Sequence, residues 1–247
     1  MQRNLEKELQ NTATSEIALE YLSRHRDKNY ILTDLEEKCQ TIQNYISKRD
    51  LNALVYPIDV QIVEEIEFLY QKIKDENILI KELIYCVGVN HLADAISTTE
   101  EIWDKVMNIN LKGCFFAMKE AAKNMIANDI QGSMVNIASQ HGIVGNINRS
   151  AYCSSKAGLI NLNKVLALEF AQWGIRVNGI SPTFILYEKN RGYLLSQQSK
   201  RDYLRKIPMQ NYCEPADIVH AIDFLLCEEN KMITGHNLVV DGGWTIQ

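Results

Sequence analysis

Tyr152 and Lys156 lie four positions apart in RSAYCSSKAGLINL, residues 149–162. On a helix that spacing stacks a phenol and an ammonium one turn apart on the same face. A neighbouring cation favours phenolate and lowers a pKa that is about 10 when free. Such a phenol can exchange a proton with a substrate near neutral pH. Taken alone, the pair equally describes a surface tyrosine beside a solvated lysine. Ser139 adds a hydroxyl able to orient a substrate oxygen or, more plainly, to cap the segment after it.

The elements that must position these groups alternate along the chain. Short β-rich runs are NYILTD (29–34), NALVYPIDV (52–60), ELIYCVG (82–88), SMVNIAS (133–139), IRVNGISP (175–182) and HNLVVDGG (236–243). Amphipathic stretches such as QIVEEIEFLYQKI and KAGLINLNKVLALEFAQW separate them. This alternation predicts parallel strands with crossover helices on both faces of one open sheet. Ligands of such sheets sit beyond the carboxyl ends of the strands. Ser139 ends the fourth run, Pro182 ends the fifth, and Tyr152 opens the helix between them. A hydroxyl, a phenol and an ammonium can therefore meet at one sheet edge.

Composition narrows the classes. The 247 residues suit one α/β domain, with neither a linker nor a repeat. A formal charge of −5 gives no basic stripe for nucleic acid. No apolar run reaches the roughly 18 residues of a membrane span. The start, MQRNLEKELQ, does not read as a secretory signal. Six scattered cysteines without CxxC spacing argue for reduced thiols, a cytoplasmic setting and no metal site.

From residue 50 onward the chain resembles the short-chain dehydrogenase/reductase family. The resemblance rests on PIDV, WDKVMNINLKGCFF, GSMVNIAS, AYCSSKAGL, LALEFAQWGIRVNGISP, EPADI and ITGHNLVVDGGW, in that order. It implies a single Rossmann-like domain over residues 1–247 and a catalytic set of Asn110, Ser139, Tyr152 and Lys156. Tyr152 would be the general acid or base, and Ser139 would hold the substrate oxygen. Lys156 would also hold the nicotinamide ribose, and Asn110 would keep a water linking Lys156 to solvent. For the cofactor, the resemblance implies Asp34 at the adenosine ribose and Asp59 and Val60 at the adenine. Gly88, Pro182 and Ile185 join Tyr152 and Lys156 around the rest.

The family's TGxxxGxG loop is missing. ELQNTATSEIALEYL, residues 8–22, contains no glycine, and the first glycine of the chain is Gly88. Cβ atoms at Thr12, Ala13, Thr14 and Ser15 oppose the usual close backbone approach to a pyrophosphate. Residues 1–28 are thus an atypical N-terminal segment. The expected fold is a Rossmann-like doubly wound parallel sheet whose first strand and glycine loop are missing or rebuilt, since residues 1–10 offer no buried apolar run. Further departures are YCVG for NNAG, SPT for SPG, and Tyr187 for a phosphate-contacting threonine.

Residues 184–206 fall where the family covers its substrate. They carry six Lys/Arg against one Glu and one Asp, which suits an anionic or carrier-bound substrate as well as a solvated helical face. Phe184, Tyr187, Tyr193 and Leu194 are candidates for an apolar wall. The leading expectation is an NAD(P)-dependent oxidoreductase of small hydroxyl or carbonyl compounds. NAD(H) is expected over NADP(H) because of Asp34, and bound weakly. The alternatives are a proton-transfer enzyme without nicotinamide and a non-catalytic scaffold or regulatory subunit. Two long helices, apolar over more than one stripe, predict a homodimer or homotetramer.

Overall fold

The computed structural model describes residues 6–11, as backbone, and 15–247. Among them, seven strands form one sheet: β1 (Glu6–Asn11), β2 (Asn29–Asp34), β3 (Asn52–Pro57), β4 (Leu79–Tyr85), β5 (Ser133–Ile137), β6 (Arg176–Pro182) and β7 (Asn237–Val240). All neighbours are parallel, in the order β3-β2-β1-β4-β5-β6-β7. The order reverses direction at β1 and β4, and that switch point opens a crevice at their carboxyl ends.

The first strand corrects the sequence expectation. Glu6–Asn11 is not missing; it lies in the middle of the sheet between β2 and β4. Ladder pairing uses main-chain N–H and C=O groups, which every residue here carries, so a charged segment can fill the slot between two apolar strands. Its ladder with β4 shifts register between Lys7 and Glu8. The glycine-free loop at Thr12, Ala13 and Thr14 lies outside the described residues.

Helices cover both faces, and two short ones, α7 (Arg191–Leu194) and α8 (Gln197–Asp202), lie in the segment 184–206. On one side α1 (Glu16–Arg24), α2 (Glu36–Arg49) and α9 (Pro215–Leu226) bury Tyr21, Leu22, Ile42, Ile218 and Ile222. On the other, α3 (Val63–Asp75), α5 (Gly113–Ala127) and α6 (Ser150–Phe170) bury Ile66, Leu69, Ala121, Met125 and Leu159. Caps fix where these helices start. Ser15 Oγ accepts from Ala18 N at 3.1 Å, and Pro215 begins α9 behind a reciprocal Glu214–Asp217 box.

Two buried polar devices tie helices to the sheet. The Arg176 guanidinium of β6 donates to the carbonyls of Leu225 (2.6 Å), Leu226 (3.1 Å) and Cys227 (3.2 Å), closing the carboxyl end of α9. Asn136 of β5 and Asn163 of α6 pair through their amides, fixing the helix that carries Tyr152 and Lys156. Among the described residues no helix is long and apolar enough to cross a membrane.

Candidate active site

Ser139 follows β5, and its Oγ accepts from His141 N at 3.1 Å, capping a one-turn helix over Gln140–Gly142. That turn lies against α6. A Cβ on Gly142 would come within 2.7 Å of the Lys156 backbone, so glycine is what allows the contact. Ser139 is thereby brought to the first turns of α6, beside the Tyr152 phenol, whose pKa its hydroxyl lowers. The capping role considered for Ser139 is thus observed, and the hydroxyl also faces the cavity that Tyr152 lines.

Lys156, one turn further on, is 3% exposed. Its Nζ donates to the carbonyl oxygen of Ile137 at 2.6 Å and lies 5.8 Å from the centre of the Tyr152 ring. Burial lowers its pKa to about 8. The expectation that this ammonium depresses the phenol is corrected here. Burial holds the Tyr152 pKa above its ordinary value, and the opposing influences are the Ser139 hydrogen bond and the Arg149 charge. The lysine is turned to the β5 carbonyl.

Asn110 lies in a π-helical turn, Asn108–Lys112, between α4 (Glu100–Met107) and α5. It is fully buried. Its Oδ1 accepts from Val89 N at 2.8 Å, and its Nδ2 donates to Val89 O and to Ser155 Oγ at 2.9 and 3.0 Å. Asn110 therefore fixes the strand exit after β4 against α6. It stands behind Gly88, where a Cβ would lie 3.2 Å from Lys156 Nζ and 3.6 Å from Asn110 Oδ1.

Two adjoining cavities occupy the crevice. The first, about 260 Å³, is lined by Ser139, Tyr152, Lys156, Gly88, Pro182 and Ile185, and also by Gln140, His141, Arg149, Thr183, Phe184 and Asn190. The second, about 380 Å³, is lined by Asp34, Asp59, Val60, Gly88, Ser15, Glu16 and Lys189. Ser15, Cys86, Val87, Gly88, Val89 and Tyr187 belong to both. The proposed cofactor residues and the catalytic residues thus share one continuous cleft, apart from Asn110, which supports it from behind.

The residues present fit a dinucleotide at the adenosine and nicotinamide ends. Asp34 and Asp59 close β2 and follow β3 on the wall of the second cavity, and glycine at position 88 leaves room beside Lys156. The middle is less usual. Both carboxylate oxygens of Glu16 accept from Glu188 N at 3.0 Å, which sets an acidic group at the mouth of α1 on the second cavity's wall. Lys189 stands on the same wall, its Nζ 5.6 Å from the Tyr187 ring centre.

The covering segment, 184–206, departs from expectation in two ways. Phe184 and Tyr187 line the catalytic cavity, but Tyr193 is mostly exposed and Leu194 is buried, and neither lines it. Of the segment's six basic residues only Lys189 reaches either cavity, and it reaches the second. Sequence reasoning missed Gln140, His141 and Arg149. Their position beside Ser139 and Tyr152 was the available signal. His141 is ringed by Phe184, Trp244 and Tyr152 at centroid distances of 5.8, 6.3 and 6.5 Å, and burial lowers its pKa to about 4.

A dinucleotide-type parallel sheet with a serine, a tyrosine and a lysine at its switch point defines a class, and comparison with known proteins places the chain within it. A family model described as Enoyl-(Acyl carrier protein) reductase matches residues 21–245. An NAD-dependent glycerol dehydrogenase of Listeria innocua is 35% identical over 88% of this chain and 84% of its own. A 3-oxoacyl-(acyl-carrier-protein) reductase of Rickettsia conorii is 35% identical over 84% of this chain and 82% of its own. Among solved structures, 4-hydroxyisoleucine dehydrogenase complexed with NADH superposes with a TM-score of 0.91 at 30% identity, covering 98% of this chain and 99% of that one. The chain belongs to the short-chain dehydrogenase/reductase family.

Proposed function

We propose that the protein is an NAD(P)-dependent oxidoreductase that interconverts a small alcohol and the corresponding carbonyl compound. The observation that carries this reading is the meeting of Ser139, Tyr152 and Lys156 on one cavity that opens into the Asp34–Asp59 cavity. The relatives named above for dehydrogenase and reductase activities support it.

A nicotinamide cofactor, when bound, would supply or accept the hydride. Asp34, Asp59 and Val60 would hold its adenosine end, and Gly88, Pro182, Ile185 and Lys156 its other end. In reduction Tyr152 gives its phenolic proton to the substrate oxygen; in oxidation its phenolate removes the alcohol proton. Ser139, beside the phenol on the same cavity, holds the same oxygen and stabilises charge that develops on it. The Lys156 charge, fixed at the end of β5, favours the phenolate once the site is closed to water. The Asp34 carboxylate favours NAD(H), since it accepts from a free ribose 2′-hydroxyl and repels a 2′-phosphate. The glycine-free loop and the Glu16 carboxylate weaken the hold on the pyrophosphate. They also favour a second reading, a proton-transfer enzyme that uses Ser139, Tyr152 and Lys156 without nicotinamide.

The outer face of α5 and α6 supports a homodimer or homotetramer: Val165 and Leu168 are exposed beside the half-buried Leu111, Phe115 and Leu162. Six free thiols suit a reducing cytoplasm. The functional reading is tested by titrating NADH into the protein and following thermal stability, with turnover assayed against a panel of alcohols and carbonyls. Stability rises with ligand only if the folded protein binds it. Binding together with turnover upholds the oxidoreductase, and absence of both turns the choice to the second reading.

A further inference from the structure

The catalytic cavity holds more buried polarity than the proton relay uses. Gln140 is 1% exposed and neither its Oε1 nor its Nε2 has a hydrogen-bond partner. Arg149, the residue before α6, is 8% exposed; its Nε is buried without a partner, and it forms no ion pair among the described residues. His141 Nδ1 and Thr183 Oγ1 are in the same condition. All four residues line the cavity of Ser139 and Tyr152.

Unsatisfied buried groups are costly, and a guanidinium without a counter-charge is the costliest of these. Ser139 and Lys156 do not need them, each being already bonded to backbone. The adenosine end of the cofactor does not explain them either, since Gln140, His141 and Arg149 line only the catalytic cavity and not that of Asp34 and Asp59. Arg149 precedes Tyr152 by three positions, so its side chain and the phenol share one end of α6. A planar guanidinium presents paired N–H groups that match a carboxylate, and a primary amide adds one further donor. The cavity is small, and a short chain suffices to join such a carboxylate to an oxygen held by Ser139.

Resting on the oxidoreductase reading, we propose that the substrate is a small hydroxy or oxo acid, whose carboxylate is held by Arg149 with Gln140 while Ser139 and Tyr152 hold the reacting oxygen. The reaction is R–CH(OH)–R′–COO⁻ + NAD(P)⁺ ⇌ R–CO–R′–COO⁻ + NAD(P)H + H⁺. The carbon-bound hydrogen leaves with its electron pair to the nicotinamide, and the hydroxyl proton passes to Tyr152. The carboxylate is unchanged.

The test compares short acids bearing the hydroxyl at the α, β or γ carbon with their methyl esters, at one pH, in the wild type, Arg149→Leu and Arg149→Lys. A charge-assisted pair of this kind predicts an acid-over-ester preference in kcat/KM of about 10- to 100-fold in the wild type. The ratio falls toward unity in Arg149→Leu and is partly kept in Arg149→Lys. Were Arg149 only tuning the Tyr152 phenol, acid and ester would fall together and the ratio would stand, which overturns the proposal. Equal use of acid and ester by the wild type also overturns it, while leaving the oxidoreductase reading intact. Calorimetry with the same acids and esters, using Tyr152→Phe to stop chemistry, separates the two claims. Arg149-dependent preference for the acid without turnover by the wild type upholds the carboxylate site and rejects the redox reading. Neither turnover nor preference rejects both.

Discussion

The Lys156 ammonium is bonded to the carbonyl oxygen of Ile137 at 2.6 Å, so the lysine ties α6 to the end of β5 as well as charging the cleft. Loss of the side chain therefore has two consequences. Lys156→Met leaves a buried carbonyl without a donor and removes the cation nearest the nicotinamide end. Tyr152→Phe removes only a hydroxyl. We expect Tyr152→Phe to lower kcat by about 10²- to 10⁴-fold with an unchanged melting temperature. Lys156→Met should be comparably slow, with a higher KM for dinucleotide. Near-normal turnover by both variants removes Tyr152 from the proton path.

Dinucleotide choice turns on two carboxylates. Asp34, at the end of β2, should make NAD(H) bind more tightly than NADP(H), and Asp34→Ser should narrow that gap by about 10-fold. Glu16, held by Glu188 N at the mouth of α1, opposes a pyrophosphate, so Glu16→Gln should tighten both dinucleotides by about 3- to 10-fold. Fluorescence titration reads both effects. Tighter NADP(H) than NAD(H) in the wild type would falsify the Asp34 argument.

Most of the scaffold was legible in the sequence because parallel strands buried on both faces read as apolar runs. Five of the six runs from NYILTD to HNLVVDGG contain β2, β3, β5, β6 and β7, and ELIYCVG overlaps β4 only over residues 82–85, the strand beginning three residues earlier. β1 was not legible. Its position is dictated by the open ladders of β2 and β4, and EKELQN carries no apolar signature of a central strand. The candidate relay residues stood out by their order and spacing, and Ser139, Tyr152 and Lys156 line one cavity. The direction of the Tyr152 shift was not legible, because it depends on burial. Arg149 escaped notice for a similar reason: burial, not residue type, distinguishes it from a surface arginine.

His141 gives the fold an acid-side weakness. Its imidazole, neutral in the folded protein, has a pKa of about 4 because it is buried and Arg149 is near, against about 6.5 in an unfolded chain. Between those values the unfolded state binds the extra proton, so stability falls as pH drops from about 6.5 to 4, by about 3 kcal/mol in all. His141→Gln should remove that part of the slope. Urea midpoints measured across the window check it, and an unchanged slope would show that other groups set the acid limit.

Arg176 should be the most sensitive polar position in the sheet. Its guanidinium satisfies the carbonyls of Leu225, Leu226 and Cys227 and also donates to Ile233 O at 3.3 Å, joining the end of α9 to the loop before β7. Arg176→Met keeps much of the apolar stem but strands these acceptors in a buried site, at a cost of about 2–4 kcal/mol. Arg176→Lys retains a charge without the planar fork and should fall between the two. Because β6 ends at Pro182 in the catalytic cavity, the Met variant should also raise the KM for dinucleotide at temperatures where it remains folded. Denaturant unfolding of the three proteins checks the ranking. Equal midpoints for Arg176 and Arg176→Met would mean that α9 is held by its apolar face alone.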